Sequence, residues 1–330
     1  MYDFDSIIGH NMIKEHLKMV LKTGKISHAY IFSGEKGSGK LTMARTFAKT
    51  LQCEKNGTNP CCQCVSCLQT DDDNQPDIKI LTKEKASYSI REVREQLVND
   101  IEIKPYKSRY KIYIIPEANT LKQDSQNAIL KTIEEPPDYA IIILLTENIN
   151  SFLPTIISRC IVLNFRPVDK ELVKNYLIKQ GIPDYNANMG AVFSQGNIGK
   201  ALSYASDESF IEIKNDALKI VKYLDETDEY TLIDSVNDMA EPKDNIGQYF
   251  DLFQLWFRDM LLLKTGGNKE KLLFKEEYDT LLKQSESRSY MDIDNALSAI
   301  TKARQRLEAN VYTEVVLEML IFAFVKKDVS

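Results

Sequence analysis

Short apolar runs alternate with amphipathic stretches over the first half of the chain. Ala29–Ser33, Asp77–Leu81, Lys111–Ile115, Ala140–Thr146 and Cys160–Phe165 are rich in Ile, Val and Tyr and bounded by Gly, Pro or charge, which predicts strands. Helical periodicity falls between them, at Lys40–Leu51, Ile90–Asp100 and Asp124–Glu134. In the last of these Ile129, Leu130 and Ile133 are expected to face inward, and Gln126 and Lys131 outward. Near-continuous apolar strands separated by helices predict an α/β fold, with a mostly parallel sheet covered on both faces. After Phe165 the pattern changes. Asp169 to about Gln180 reads as a helix stopped by Gly181, and Gly196-Asn197-Ile198-Gly199 separates two further short helical stretches. Strand signals then vanish. Tyr249, Phe253, Trp256, Met260 and Leu263 recur at helical spacing and Val311–Val325 is strongly apolar, as expected of helices packed on a core. The predicted organisation is an α/β domain over residues 1–165, a helical lid over 166–207 and a larger helical domain over 208–330.

Composition narrows the function. The 330 residues are enough for two or three domains with real cores. Asp and Glu number 48 against 42 Lys and Arg, a net charge of -6, which argues against a whole-chain electrostatic grip on nucleic acid. No apolar run approaches the roughly 20 residues that span a bilayer. The opening Met1-Tyr-Asp-Phe-Asp has neither the cationic head nor the apolar core of an export signal. The expectation is a soluble, cytoplasmic protein without a membrane partner.

Chemistry is concentrated in three places. Gly34-Glu35-Lys36-Gly37-Ser38-Gly39-Lys40 lies between a strand and a helix, where converging backbone N–H groups and a helix N-terminus cradle phosphate and Lys40 reaches its outer oxygens. The loop departs from a working one at the next residue. Leu41 stands where a hydroxyl should hold Mg²⁺, and Thr42 is rotated about 100° away. At the end of the strand Lys111–Ile115, Pro116 stands where a second magnesium ligand belongs, although Glu117 keeps the place of the carboxylate that orients water. With both magnesium side chains missing, no Mg site is expected and phosphoryl transfer is disfavoured. Whether the loop, through Gly34, Gly37, Gly39 and Lys40, still holds ATP or ADP is left open.

Five of the six cysteines fall between Cys53 and Cys67. Cys61-x-x-Cys64-x-x-Cys67 with Cys53 offers four thiolates at the spacing that wraps a tetrahedral Zn²⁺, a closed structural site over about residues 53–67. Cys62 is a spare and the ambiguity in the ligand set.

Phe4-Asp-Ser-Ile-Ile-Gly9-His10, His28-Ala-Tyr-Ile-Phe32, the phosphate loop, the cysteine cluster, Asn127-Ala-Ile-Leu-Lys-Thr-Ile-Glu-Glu-Pro-Pro137, Ser158-Arg159-Cys160 and Gly196-Asn-Ile-Gly-Lys-Ala-Leu202 run nearly end to end. Together they resemble the clamp-loader branch of the AAA+ ATPases serving bacterial DNA polymerase III. The resemblance implies a five-stranded parallel-sheet domain with a zinc module, a helical lid, and a C-terminal collar that joins subunits into a hetero-pentamer with gamma/tau and delta. It implies that Arg159 is an arginine finger acting on the neighbouring subunit's ATP site, a role suited to a planar cation that never deprotonates; the bland alternative is a surface carboxylate partner. It also implies that Gly199 replaces the lid arginine that senses nucleotide. Thr146 and Asn148 match the position that senses the γ-phosphate, or serve only to cap their strand. Lys131 lies on the helix that, in the family, faces primer–template DNA in the assembled ring. The reading is a non-hydrolysing subunit that helps load a sliding clamp. The alternatives are an ATP-hydrolysing gamma/tau-like motor with unusual magnesium coordination, and a zinc-dependent DNA-binding module.

Overall fold

The computed structural model describes residues 3–207, 209–224 and 245–325. The chain divides into two compact units, Met1–Leu202 and Ser203–Ser330.

In the first unit the strands β1 (Ala29–Ser33), β2 (Ile78–Ile80), β3 (Lys111–Ile115), β4 (Ala140–Thr146) and β5 (Ile161–Asn164) form one parallel sheet in the order β2-β3-β4-β1-β5. Parallel register places Ala29 beside Ile142 and Lys111 beside Ala140. Successive side chains alternate between two cores, as the pleat requires. Tyr30, Phe32, Ile141, Ile143 and Leu145 pack with Ile13 and Leu17 of α1 (Asn11–Thr23) and with Met43 and Phe47 of α2 (Lys40–Leu51). Ala29, Ile31, Ile142 and Leu144 pack with Ile129 and Ile133 of α5 (Gln123–Glu134) and with Ile156 of α6 (Pro154–Ile157). This is the doubly covered α/β sheet expected from the apolar strands.

Two expectations are corrected. The single helix expected over Ile90–Asp100 is an α-helical turn, α4 (Ile90–Val93), running into a π-wound turn, Arg94–Val98, in which Asn99 N donates to Arg94 O (2.9 Å). Val93, Leu97 and Ile101 recur every four residues, a spacing that drifts around a pure α-helix and that one wider turn returns to the core face. Gln126 is not outward but only 4% exposed. Its Nε2 donates to Leu121 O (2.9 Å) and Ser151 O (2.8 Å), and its Oε1 accepts from Leu153 N (2.8 Å). A polar residue at a core position is buried at low cost when each of its groups is paired in this way.

The helices α1 and α3 (Val65–Asp71) were not expected from the pattern. After β5 come α7 (Lys170–Lys179), α8 (Asp184–Phe193) and α9 (Ile198–Ser206). Asp169 caps α7, its side chain accepting from Glu171 N (2.9 Å), and Gly181 leaves the helix with φ 86°.

The second unit carries α10 (Phe210–Lys222), α11 (Ile246–Lys264), α12 (Tyr278–Ser287), α13 (Tyr290–Glu308) and α14 (Thr313–Phe324), with no strand among its described residues. Tyr249, Phe253, Trp256, Met260 and Leu263 are all buried, as their spacing predicts. Trp256 Nε1 donates to Gln284 Oε1 (3.0 Å), and Gln284 Nε2 donates to Val221 O (2.8 Å), so one buried amide ties three helices. Among the described residues no helix is long and apolar enough to cross a membrane. The stretches 225–244 and 326–330 of the expected helical domain lie outside the described residues.

Asp77, 1% exposed at the foot of β2, accepts hydrogen bonds from the backbone N–H groups of Tyr106 (2.6 Å), Lys107 (3.0 Å) and Ser108 (2.9 Å). Burial pushes its pKa up, but these donors outweigh burial and hold it below the usual carboxylate value. A depressed folded-state pKa stabilises the protein above the unfolded value, and that contribution is lost as pH falls through the folded one. Asp77→Ala should therefore cost about 1–3 kcal/mol by urea unfolding, because three backbone donors lose their acceptor. Asp77→Asn should show a weaker loss of stability on acidification below about pH 4 than the parent chain.

Candidate nucleotide cleft and metal centre

The phosphate loop follows the C-terminal end of β1, flanked by β4 and β5: Gly34 N donates to Thr146 O (3.0 Å), and Phe165 N donates to Ser33 O (2.7 Å). Gly37 and Gly39 take φ 84° and 91°, values that a side chain strains, and Gly39 caps α2. A cleft of about 420 Å³ opens beside the loop, lined among others by Lys40, Leu41, Pro116, Glu117, Tyr176 and Gly199.

Lys40, Glu117 and Thr146 are each engaged by a neighbour. Lys40 is 9% exposed and folds back onto its own loop, donating to Gly34 O (2.5 Å) and Glu35 O (2.6 Å). Burial lowers the Lys40 pKa, while Glu147 and Glu35 act to raise it. Leu41, 38% exposed, presents only carbon to the cleft, and Thr42 also borders it. Glu117 carries φ 46° and pairs with Lys83 Nζ (2.6 Å); that bond holds its carboxyl below the usual value, ionised and engaged. A carboxylate so held is a poor base for drawing a proton from water. Thr146 Oγ1 donates to Asn148 O (2.9 Å) and accepts from Asn148 N (3.1 Å), while Asn148 Oδ1 accepts from Asn150 N (2.9 Å), so both residues cap the end of β4.

The segment before α9 closes over the loop. Asn197, 5% exposed, donates through Nδ2 to Glu35 Oε2 (3.2 Å) and Lys36 O (2.8 Å) and accepts from Lys200 N through Oδ1 (3.1 Å). Gly199 N donates to Gly37 O (2.9 Å). A Cβ on Gly199 would stand 2.7 Å from Gly37 Cα, inside any tolerable contact. From the other side His10 Nε2 donates to Ser38 O (3.0 Å), since a carbonyl oxygen only accepts. An arginine at position 199 therefore has no room while the lid segment rests on the loop.

Cys53, Cys61, Cys64 and Cys67 converge, their sulfurs all within 4.8 Å of one another. Cys61 Sγ and Cys67 Sγ are 4.0 Å apart, close to the tetrahedral edge of about 3.8 Å that Zn–S bonds of about 2.3 Å imply. Backbone donors face the sulfurs: Cys61 N to Cys53 Sγ (3.3 Å), Cys64 N to Cys61 Sγ (3.4 Å) and Cys67 N to Cys64 Sγ (3.4 Å), the last capping α3. The N–H groups of Gln63 and Cys64 draw the Cys61 thiol down to about 6. Burial pushes the Cys53 and Cys67 thiols up, a cost that a bound dication reverses. Donor set, spacing and N–H support fit a zinc ion held by these four residues, with no position left for catalytic water. Cys62 turns away at φ 56°, with its Sγ 3.6 Å from Pro60 O. It also interacts with Lys49, a fully buried ammonium whose Nζ donates to both carboxylate oxygens of Asp71 (2.8 and 2.7 Å).

Arg159 follows α6, away from the phosphate loop in sequence. Its NH1 donates to Thr155 O (3.0 Å) and Ser158 Oγ (3.4 Å), and its NH2 pairs with Glu134 Oε1 (3.1 Å). Both side chains stay about two-fifths exposed, at 40% and 42%. Lys131 is exposed on α5.

A family model described as DNA polymerase III, delta subunit, matches residues 9–169. DNA polymerase III subunit delta' of Bacillus subtilis (strain 168) is 27% identical over 304 residues, covering 91% of this chain and 92% of the relative. DNA polymerase III subunit gamma of Buchnera aphidicola subsp. Acyrthosiphon pisum is 35% identical over 207 residues, 61% of this chain and 57% of the relative. DNA polymerase III subunit tau of Bacillus subtilis (strain 168) is 26% identical over 345 residues, 96% of this chain and 60% of the relative. The chain thus spans less than two thirds of the gamma and tau subunits it matches.

Two outcomes follow from this geometry. Purified protein should carry one zinc per chain by elemental analysis, and Cys64→Ser should lose it together with about 2 kcal/mol or more of stability. Gly199→Ala should lower stability by about 1–3 kcal/mol in urea, because its methyl meets backbone rather than a movable side chain.

Proposed function

We propose that this chain, which belongs to the clamp-loader family of DNA polymerase III subunits, is its non-hydrolysing, delta-prime-type member. In this role it assembles with gamma/tau and delta, contributes Arg159 to the neighbouring subunit's ATP site, and takes part in placing a sliding clamp on primed DNA. The observation that carries the reading is the cleft itself. Leu41 and Pro116 stand at both magnesium positions, and Glu117 is neutralised by Lys83 rather than free to orient water. Phosphoryl transfer depends on a metal to neutralise developing charge, so a cleft without these ligands turns nucleotide over poorly even if it holds one. Arg159, by contrast, stands half exposed, with a charge suited to a partner's γ-phosphate. The match to subunit delta' over 92% of that relative supports the same reading.

The remaining roles follow from this one. Residues 1–165, 166–207 and 208–330 act as nucleotide-binding-like domain, lid and oligomerisation collar. The four cysteines hold structural zinc. Contact with primer–template DNA, including any through Lys131, arises in the assembled complex in the cytoplasm. A second reading, an ATP-hydrolysing gamma/tau-like motor, draws on the 35% identity to subunit gamma and the retained Lys40.

The purified protein should show no ATPase above background, and Lys40→Ala should change nothing. In the reconstituted complex, Arg159→Ala should reduce DNA-stimulated ATPase to what the other sites supply, as loss of a finger worth about 10³–10⁵ in rate at its own site requires. Robust turnover by the isolated chain that disappears in Lys40→Ala would instead establish the motor.

A further inference from the structure

Arg159 does not project freely. A guanidinium has five N–H donors; here NH1 donates to Thr155 O and Ser158 Oγ, and NH2 is ion-paired with Glu134 Oε1 at 3.1 Å. The first two acceptors belong to the turn that carries Arg159 itself. Only Glu134 comes from another element, the last residue of α5. A carboxylate there sits at the negative end of the helix, an unfavourable place that a cation relieves. The ion pair thus gives the long arginine side chain an acceptor on a second element, which favours one rotamer.

Among the described residues no acceptor engages Nε. Nε–H and the NH2 group beside it lie along one planar edge, the shape that matches two phosphate oxygens. The exposure of both partners leaves this edge reachable from outside the chain.

We propose that Glu134 is the positioning residue for Arg159, holding the guanidinium so that its unused edge is offered to the neighbouring subunit's triphosphate. Glu134 does not touch the nucleotide. It acts by sparing the arginine a search through rotamers when the transition state forms, an effect on turnover rather than on ATP affinity. The inference rests on the finger reading of Arg159.

The test uses the reconstituted complex, with ATP turnover measured at saturating primed DNA and clamp. The quantity read is the part of kcat that Arg159→Ala abolishes. In Glu134→Ala that part should fall about three- to ten-fold, with KM for ATP and assembly by gel filtration unchanged. Glu134→Gln keeps a neutral acceptor and should fall less; it also serves if the alanine variant assembles poorly. The double variant Glu134→Ala with Arg159→Ala should be no slower than Arg159→Ala alone, because a positioning residue has nothing left to position. Full kcat in both Glu134 variants, beside a slow Arg159→Ala, overturns the positioning role and leaves the finger intact. A double variant slower than Arg159→Ala also overturns it, since Glu134 then acts by another route. Full turnover in Arg159→Ala removes the finger, and the inference with it.

Discussion

Gly37 and Gly199 touch backbone to backbone, and this close approach organises the cleft around it. A phosphate loop works by leaving its N–H groups and its lysine available to an anion. Here Gly199 N and the Asn197 side chain bind the loop's outward carbonyls, and Lys40 satisfies its ammonium on Gly34 and Glu35. The contact leaves no room for a side chain at position 199, so the glycine there and the closure of the lid segment are one structural fact. The same economy recurs at Glu117, whose charge is spent on Lys83, and at Thr146 and Asn148, whose polar groups cap β4. The site keeps the outline of a nucleotide pocket while its reactive groups are committed to one another.

Arg159 differs in kind. Its partners lie at the surface, and part of its donor set is unused. Buried, satisfied polar networks rigidify, whereas exposed pairs exchange readily. The polar groups of the cleft are thus held by one another, whereas the Arg159 pair stands open to solvent.

Much of this was legible in the residues because the signals are local. Strand boundaries held within a residue or two, since apolar runs bounded by Gly, Pro and charge admit few alternatives. The phosphate loop and the cysteine spacing are also local, and the four sulfurs converge where the spacing suggested. What escaped depends on partners distant in sequence. Gln126 reads as polar and outward on its own helix, yet Ser151 and Leu153 make a core position habitable. Lys83 for Glu117 and Glu134 for Arg159 are contacts between elements that no periodicity reveals. Helix α1 went unread although Ile13, Leu17 and Val20 are spaced for it, and the π-wound turn was hidden because a four-residue repeat suits a single α-helix nearly as well.

The cysteine cluster sits on a lever. Cys53 lies two residues past the end of α2, and the opposite end of that helix begins at Lys40. Whatever occupies the thiol knot therefore braces the rod on which the phosphate loop is mounted, and Lys49, near the same end of α2, is clamped to Asp71. Oxidants or chelators that strip the knot would slacken the pocket from behind, without meeting a single residue that faces it.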